Sequence, residues 1–215
     1  MEQTTHETYS DIKRKLRMLM DESITHNRER LRNLLRSQCV KEDQNGFVLK
    51  SGEVSPFYID VKKGAQHPVG GILIAKLIHD MITTSGREIS HVGGKVTGGM
   101  LISQSIVTLS ALTDYPVQGF YVRDMTKEYA TKTKVEGLRR GDRMKKVVVV
   151  DDVSTTGGSI ADAIETIRDK TPPNGIGADV AFAVSVVDRQ KGNEVERRTG
   201  VKLAHIFTER DILYP

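Results

Sequence analysis

Several things are scarce in this sequence, and each shortage excludes a class of protein. There is no tryptophan, and one cysteine, Cys39, stands among 215 residues. A single thiol cannot build a disulfide framework or a cysteine-based zinc cluster, and it fits a reducing compartment. No apolar run approaches the roughly 18 residues that a membrane-spanning helix needs. Residues 1–11 are polar and lack the basic start and apolar stretch of a signal peptide, so the expected location is cytoplasmic. Neither sign of charge dominates: 32 Lys and Arg against 28 Asp and Glu leave +4. That excess is too small to argue for nucleic-acid binding alone, though it suits an anionic substrate. Repeats and low-complexity tracts are missing as well. With 38% hydrophobic and 28% charged residues the chain is neither disordered nor fibrous. Its length suits one α/β domain with a substantial core.

What is present is an alternation. Short apolar runs at 89–92, 117–122, 147–150, 178–187 and 201–207 begin roughly every 23 to 31 residues, the spacing of βα units in a parallel sheet. The stretches around them carry helical stripes: Ile72, Ala75, Ile78, Met81 and Ile82; then Ile102, Ile106 and Leu109; then Ile160, Ala163, Ile164 and Ile167, with Thr171 and the Pro-Asn-Gly stretch after it as the stop. Four consecutive valines at 147–150, with no polar alternation, predict a central strand covered on both faces. Nearer the start, Ile12, Leu16 and Leu19, then Leu31, Leu34 and Leu35, recur at helical spacing among basic residues. They predict an amphipathic helix or pair packed on the core or on a second subunit; helix-turn-helix spacing is lacking. Residues 47–63, punctuated by Gly52 and Pro56, predict short strands in a small subdomain. The expected organisation is one domain over 1–215, with N-terminal helices and a hood in 1–68 and the α/β core in 69–215.

The chemistry concentrates after the valine strand. Asp151 and Asp152 are followed by Val153, Ser154, Thr155, Thr156, Gly157, Gly158 and Ser159, and then by a helix. Parallel sheets bind ligands beyond the carboxyl ends of their strands. A helix N-terminus attracts phosphate through unpaired amides and its dipole, and glycines and hydroxyls complete such a cradle. Two carboxylates beside a phosphate would repel it, so they need sugar hydroxyls, a Mg²⁺ ion or a developing cation. The composite calls for a sugar phosphate. Competing motifs fail on spacing. The G-x-x-x-x-G-K-[ST] loop is missing, Gly175-Ile176-Gly177 lacks a third glycine and precedes a strand, and a dehalogenase-type pair would separate its acids by one residue. A capping turn explains one Asp but not the whole string.

The string resembles the phosphoribosyl pyrophosphate (PRPP) motif of type I phosphoribosyltransferases. Three more segments resemble orotate phosphoribosyltransferases: Phe47 to Gly52 with Ser55-Pro56-Phe57-Tyr58; Tyr121-Val122-Arg123 through Lys127-Glu128-Tyr129 to Gly137; and Asp188-Arg189 with Gly192. The resemblance implies that family's fold: a central parallel sheet flanked by helices, an N-terminal hood or flap and a mobile catalytic loop. It implies transfer of phosphoribose from PRPP to orotate, with Mg²⁺ bound mainly through PRPP and no metal held by protein ligands. It also implies a homodimer whose loop acts in trans.

Residue by residue, the resemblance puts Asp151 and Asp152 on the ribose hydroxyls and Val153 to Ser159 on the 5′-phosphate. Arg123, Lys127 and Tyr129 fall to the departing pyrophosphate. Lys50, Tyr58, Ile59 and Arg189 fall to the base, Arg189 by forking onto a carboxylate. Gly93-Gly94-Lys95-Val96-Thr97-Gly98-Gly99 resembles the pyrophosphate loop. Three positions depart from the family pattern: Thr97 and Asp124, where lysines are common, and Ala130, where glycine is usual. Lys95 offers the charge from another position. Two alternatives stay open: the same transfer to another nucleobase, and a non-catalytic PRPP sensor that binds nucleic acid through its basic N-terminal helices.

Overall fold

The computed structural model describes residues 22–48, 52, 54–124, 133–139, 146–171 and 176–214. Of the expected N-terminal helices, the part built on Ile12, Leu16 and Leu19 lies outside these residues. Helix α1 (Ile24–Cys39) carries the second part, capped by the Ser23 hydroxyl. Its apolar stripe, Leu31, Leu35 and Cys39, is fully buried.

A two-stranded antiparallel sheet follows, β1 (Val40–Val48) with β2 (Val54–Ile59). β1 begins well before the strands expected from residue 47. The helix α2 (Val61–Gln66) occupies the end of the segment read as strands only. Helix α3 (Pro68–Thr84) opens on a proline, which suits a first helical position, and its first amides donate to the His67 ring.

The main sheet then builds in the expected order: β3 (Ile89–Lys95), α4 (Gly98–Ser110), β4 (Gln118–Val122), β5 (Val135–Glu136), β6 (Lys146–Ser154), α5 (Gly158–Arg168), β7 (Asp179–Asp188), α6 (Glu194–Thr199), β8 (Leu203–Thr208) and α7 (Glu209–Leu213). Its spatial order is β5-β4-β3-β6-β7-β8, parallel except for β5, which runs antiparallel to β4. β5 lies inside a stretch whose polarity reads as loop. α5 ends at Arg168, three residues before the expected stop.

The valine run explains the layering. Side chains alternate across a strand, so Val148 and Val150 join the core that holds α1, α3 and α4. Val147 and Val149 join the core that holds Ile160, Ala163, Ile164 and Ile167 of α5. All four valines are 0% exposed. Burial of each contributes about 1.5–3 kcal/mol, which makes β6 the axis of the molecule.

The order β3-β6 places two strand-to-helix turns side by side. The order in which strands are added reverses between β3, whose next strand lies on one side, and β6, whose next strand lies on the other. Such a switch point opens a crevice at the carboxyl ends of the strands.

Candidate active site

β6 runs past its apolar segment and ends in Asp151, Asp152, Val153 and Ser154. The turn that follows needs a left-handed residue to enter α5, and Gly157 supplies it at φ 88°. Residues Asp151 and Val153 to Ile160, with Asp162 and Arg198, line a cavity of about 360 Å³. Ser154 is 3% exposed, and its hydroxyl has no hydrogen-bond partner among the described residues. A buried hydroxyl without a partner is rare in a folded protein and marks an unsatisfied group beside this cavity. Seven of the predicted phosphate and ribose residues, Val153 to Ser159, therefore come together with Asp151.

The two acids differ. Asp151 is buried, accepts a 3.0 Å hydrogen bond from the Asp152 amide, and is held well above the usual carboxylate range by burial first and by the Asp152 charge second. Asp152 is not part of that cavity's lining and lies against Gly98 of the neighbouring turn. Its carboxylate receives Lys62 Nζ at 3.4 Å, and Lys62 also reaches Asp60 at 3.2 Å. Burial opposes the Lys62 charge, but Asp152 and Asp60 outweigh it and hold its pKa above the ordinary value. The sequence reading missed Lys62. Its signal is the Asp60-x-Lys62 spacing just after β2.

The neighbouring turn abuts this one. A Cβ on Gly98 would fall 2.2 Å from Asp152 Oδ1, so only glycine permits this approach. Lys95, at the end of β3, contacts Asp124 at 2.5 Å and Asp162 at 3.4 Å. Thr97 precedes the first residue of α4 and makes no side-chain cap.

Arg189 lines a second cavity of about 700 Å³ with Ser55, Pro56 and Phe57 of β2 and with Glu209, Arg210 and Tyr214. Backbone bonds strap it to the first cavity, since the Arg189 amide donates to Ser154 O at 2.8 Å and the Lys191 amide to Thr155 O at 3.1 Å. The guanidinium is buried, 2.6 Å from Glu209 and 3.3 Å from the Ser55 hydroxyl. Its Nε has no hydrogen-bond partner among the described residues. Glu209 went unread because 134 residues separate Ser55 from Arg189 and the three meet only in the fold.

Other predicted residues sit elsewhere. Arg123 does not line either cavity; its Nη2 donates to the Tyr121 hydroxyl at 2.9 Å, and Glu136 is 3.8 Å away. Tyr58 packs on Phe47 with centroids 5.7 Å apart. The Ile59 side chain is 7% exposed and belongs to the core, so a ligand could meet only its backbone. Lys50, Lys127 and Tyr129 lie outside the described residues.

Acids poised for a pentose beside an anion cradle, at the crest of a switch-point strand, define a type I phosphoribosyltransferase. No protein-family model matches the chain. Whole-chain relatives do. The orotate phosphoribosyltransferase of Methanopyrus kandleri is 36% identical over 188 residues, 86% of this chain and 92% of that one. That of Rhodopseudomonas palustris strain TIE-1 is 32% identical over 190 residues, 87% of this chain and 96% of that one. The crystal structure of Mycobacterium tuberculosis orotate phosphoribosyltransferase in complex with PRPP superposes with a TM-score of 0.67 at 26% identity, over 86% of this chain and 98% of that one. The chain belongs to the orotate phosphoribosyltransferase family.

Proposed function

We propose that this chain transfers phosphoribose from PRPP to orotate, yielding orotidine 5′-monophosphate and pyrophosphate. The observation that carries the reading is the cavity built by Asp151 and the 153–159 turn, with its unpartnered buried Ser154 hydroxyl. The relatives' common activity supports the choice of orotate.

The fold supplies positioning. The α5 N-terminus and the Thr155, Thr156 and Ser159 hydroxyls hold the 5′-phosphate. Asp152, at the crevice, orients the ribose hydroxyls. As the C1–O bond to pyrophosphate lengthens, the ring gains positive charge and the carboxylates favour it. The orotate nitrogen, delivered within bonding distance, closes the new C1–N bond as the C1–O bond breaks, and its proton passes to the departing pyrophosphate or to water. No covalent enzyme intermediate is required. Arg189 holds the carboxylate of the base, which requires that the guanidinium turn from Glu209 or share itself. Lys50, Lys127 and Tyr129 keep the roles the resemblance implies.

A divalent ion fits this site through PRPP. Among the described residues no three His, Cys, Asp or Glu side chains gather as a metal cage. Mg²⁺ binds readily through a diphosphate with one or two carboxylates and water. It would neutralise the diphosphate charge.

The remaining reading is a homodimer whose basic loop, expected over 124–136, acts in trans, in the cytoplasm, its hood formed by 1–68. An apolar depression of about 410 Å³ lined by Pro68, Ile72, Leu109 and Leu112 supports a second copy packing there. No helix among the described residues is long and apolar enough to cross a membrane.

The test is orotate consumption by the purified protein with PRPP and Mg²⁺, alongside uracil, xanthine and adenine. Orotate loss matched by pyrophosphate is expected. Turnover of another base without orotate would move the assignment within the class.

A further inference from the structure

Among the described residues, three cations beside the crevice are engaged by carboxylates. Lys62 holds Asp60 and Asp152, Arg198 holds Asp162, Glu165 and Glu194, and Lys95 holds Asp124 and Asp162. A diphosphate entering beside these acids competes with them for their cations. The partners differ in how readily they let go. Asp124 is 65% exposed, whereas Asp162 is 49%, Glu136 26%, Glu209 21%, Asp60 20% and Asp152 15% exposed. An exposed pair is worth little in water, at most about 1 kcal/mol, and the freed carboxylate returns to solvent without a desolvation cost.

The ammonium itself is in the right place. The Lys95 side chain is 18% exposed. It is anchored at the carboxyl end of β3, and it touches Asp162, which lines the phosphate cavity. Its charge reaches Asp151 and lowers that carboxyl's pKa against the stronger effect of burial. Lys95 thus stands between the β6–α5 turn and the end of β4, on the side of the crevice opposite the Lys62 pair.

We propose that Lys95 is a diphosphate-binding cation of this protein and that Asp124 is an internal placeholder for the diphosphate. In the unliganded state Asp124 neutralises Lys95. PRPP displaces it, and Asp124 recaptures the ammonium when pyrophosphate departs. The proposal rests on the PRPP reading above. It makes the two departures at 97 and 124 one arrangement: the cation has moved to 95, and the anion at 124 keeps it neutral and positioned until substrate arrives.

Calorimetric titration of PRPP with Mg²⁺ tests this on Lys95→Met, Asp124→Asn and the double variant. Lys95→Met should weaken PRPP binding about tenfold or more, the scale of a lost charge-assisted hydrogen bond. The KM for orotate should stay within about twofold, and Lys95→Arg should recover most of the affinity. Asp124→Asn should tighten PRPP binding up to about fivefold and much less in the Lys95→Met background. Equal tightening in both backgrounds would mean that Asp124 acts only as a repelling charge and would overturn the placeholder. Unchanged PRPP affinity in Lys95→Met, or a parallel rise in both KM values with a fall in Tm, would overturn the binding role. A wild-type protein that takes up no PRPP would instead sink the functional reading itself.

Discussion

Two strand-to-helix turns lie side by side in this molecule and solve different problems. The β6–α5 turn is rich in hydroxyls and acids and surrounds a cavity. The β3–α4 turn is flanked by glycines, Gly93 and Gly94 at the end of β3 and Gly98 and Gly99 at the start of α4, and those glycines face protein. Gly94 would place a Cβ 1.9 Å from Val150 O, and Gly98 would place one 2.2 Å from Asp152. By contrast, a Cβ on Gly158 would meet nothing closer than Glu194 Oε2 at 3.4 Å. Glycine in the first turn lets two strands' ends approach. In the second, Gly157 supplies the left-handed backbone and packs against Val195, while Gly158 has the space for a side chain. A glycine-rich loop is therefore not by itself an anion site; what its missing side chains would touch decides.

Substitutions can break this comparison. The largest effect is expected at Asp152, where Asn keeps the shape and removes the charge. Turnover should fall on the order of 10²–10³-fold, as for loss of one preorganised electrostatic group, with Tm changed by a few degrees at most. Arg189→Ala should raise the KM for orotate about tenfold to a hundredfold and leave PRPP affinity alone. It should also lower Tm, because Glu209 would be left buried and unpaired. Arg189→Ala combined with Glu209→Gln should regain the lost Tm without the lost orotate affinity.

The glycine contrast sharpens next. Gly98→Ala should cost about 1–3 kcal/mol of stability in chemical denaturation, the range for overpacking. Gly158→Ala should stay within about 0.5 kcal/mol yet weaken PRPP binding by crowding the cradle. If both variants lose stability alike, the two turns do not differ as described.

The smallest effect concerns Asp151. Its folded pKa is raised by burial and by Asp152, so the folded state holds this proton more tightly than the unfolded chain, whose carboxyl titrates near 4. That advantage is complete below the unfolded pKa and is lost as pH rises through the folded one. Asp151→Asn should accordingly raise Tm by little at pH 4 and by progressively more toward pH 8–9. A Tm gain independent of pH would contradict the raised pKa.

Much of this was legible in the chain. The valine run revealed a strand apolar on both faces, and the spacing of its neighbours revealed the parallel order. The acids and hydroxyls after it could be read as a site because the whole cradle is contiguous. β1 was not legible because its sequence, VKEDQNGFV, is charged where it meets solvent and takes its strand form from pairing with β2. β5 is two residues long, too short for any period to register. Lys62, Glu209 and the Lys95–Asp124 pair were hidden for another reason: each owes its environment to residues far away in sequence. Periodicity reports faces of elements, and it does not report which charges meet when the elements assemble.

Calorimetric uptake of PRPP by wild type and by Thr156→Val/Ser159→Ala, in Mg²⁺ and compared with ribose 5-phosphate, probes the cradle at its centre. One PRPP bound per chain, with both phosphorylated ligands weakened together in the variant, is the predicted result. Undiminished binding in the variant would mean that the phosphorylated pentose sits somewhere other than the turn after β6.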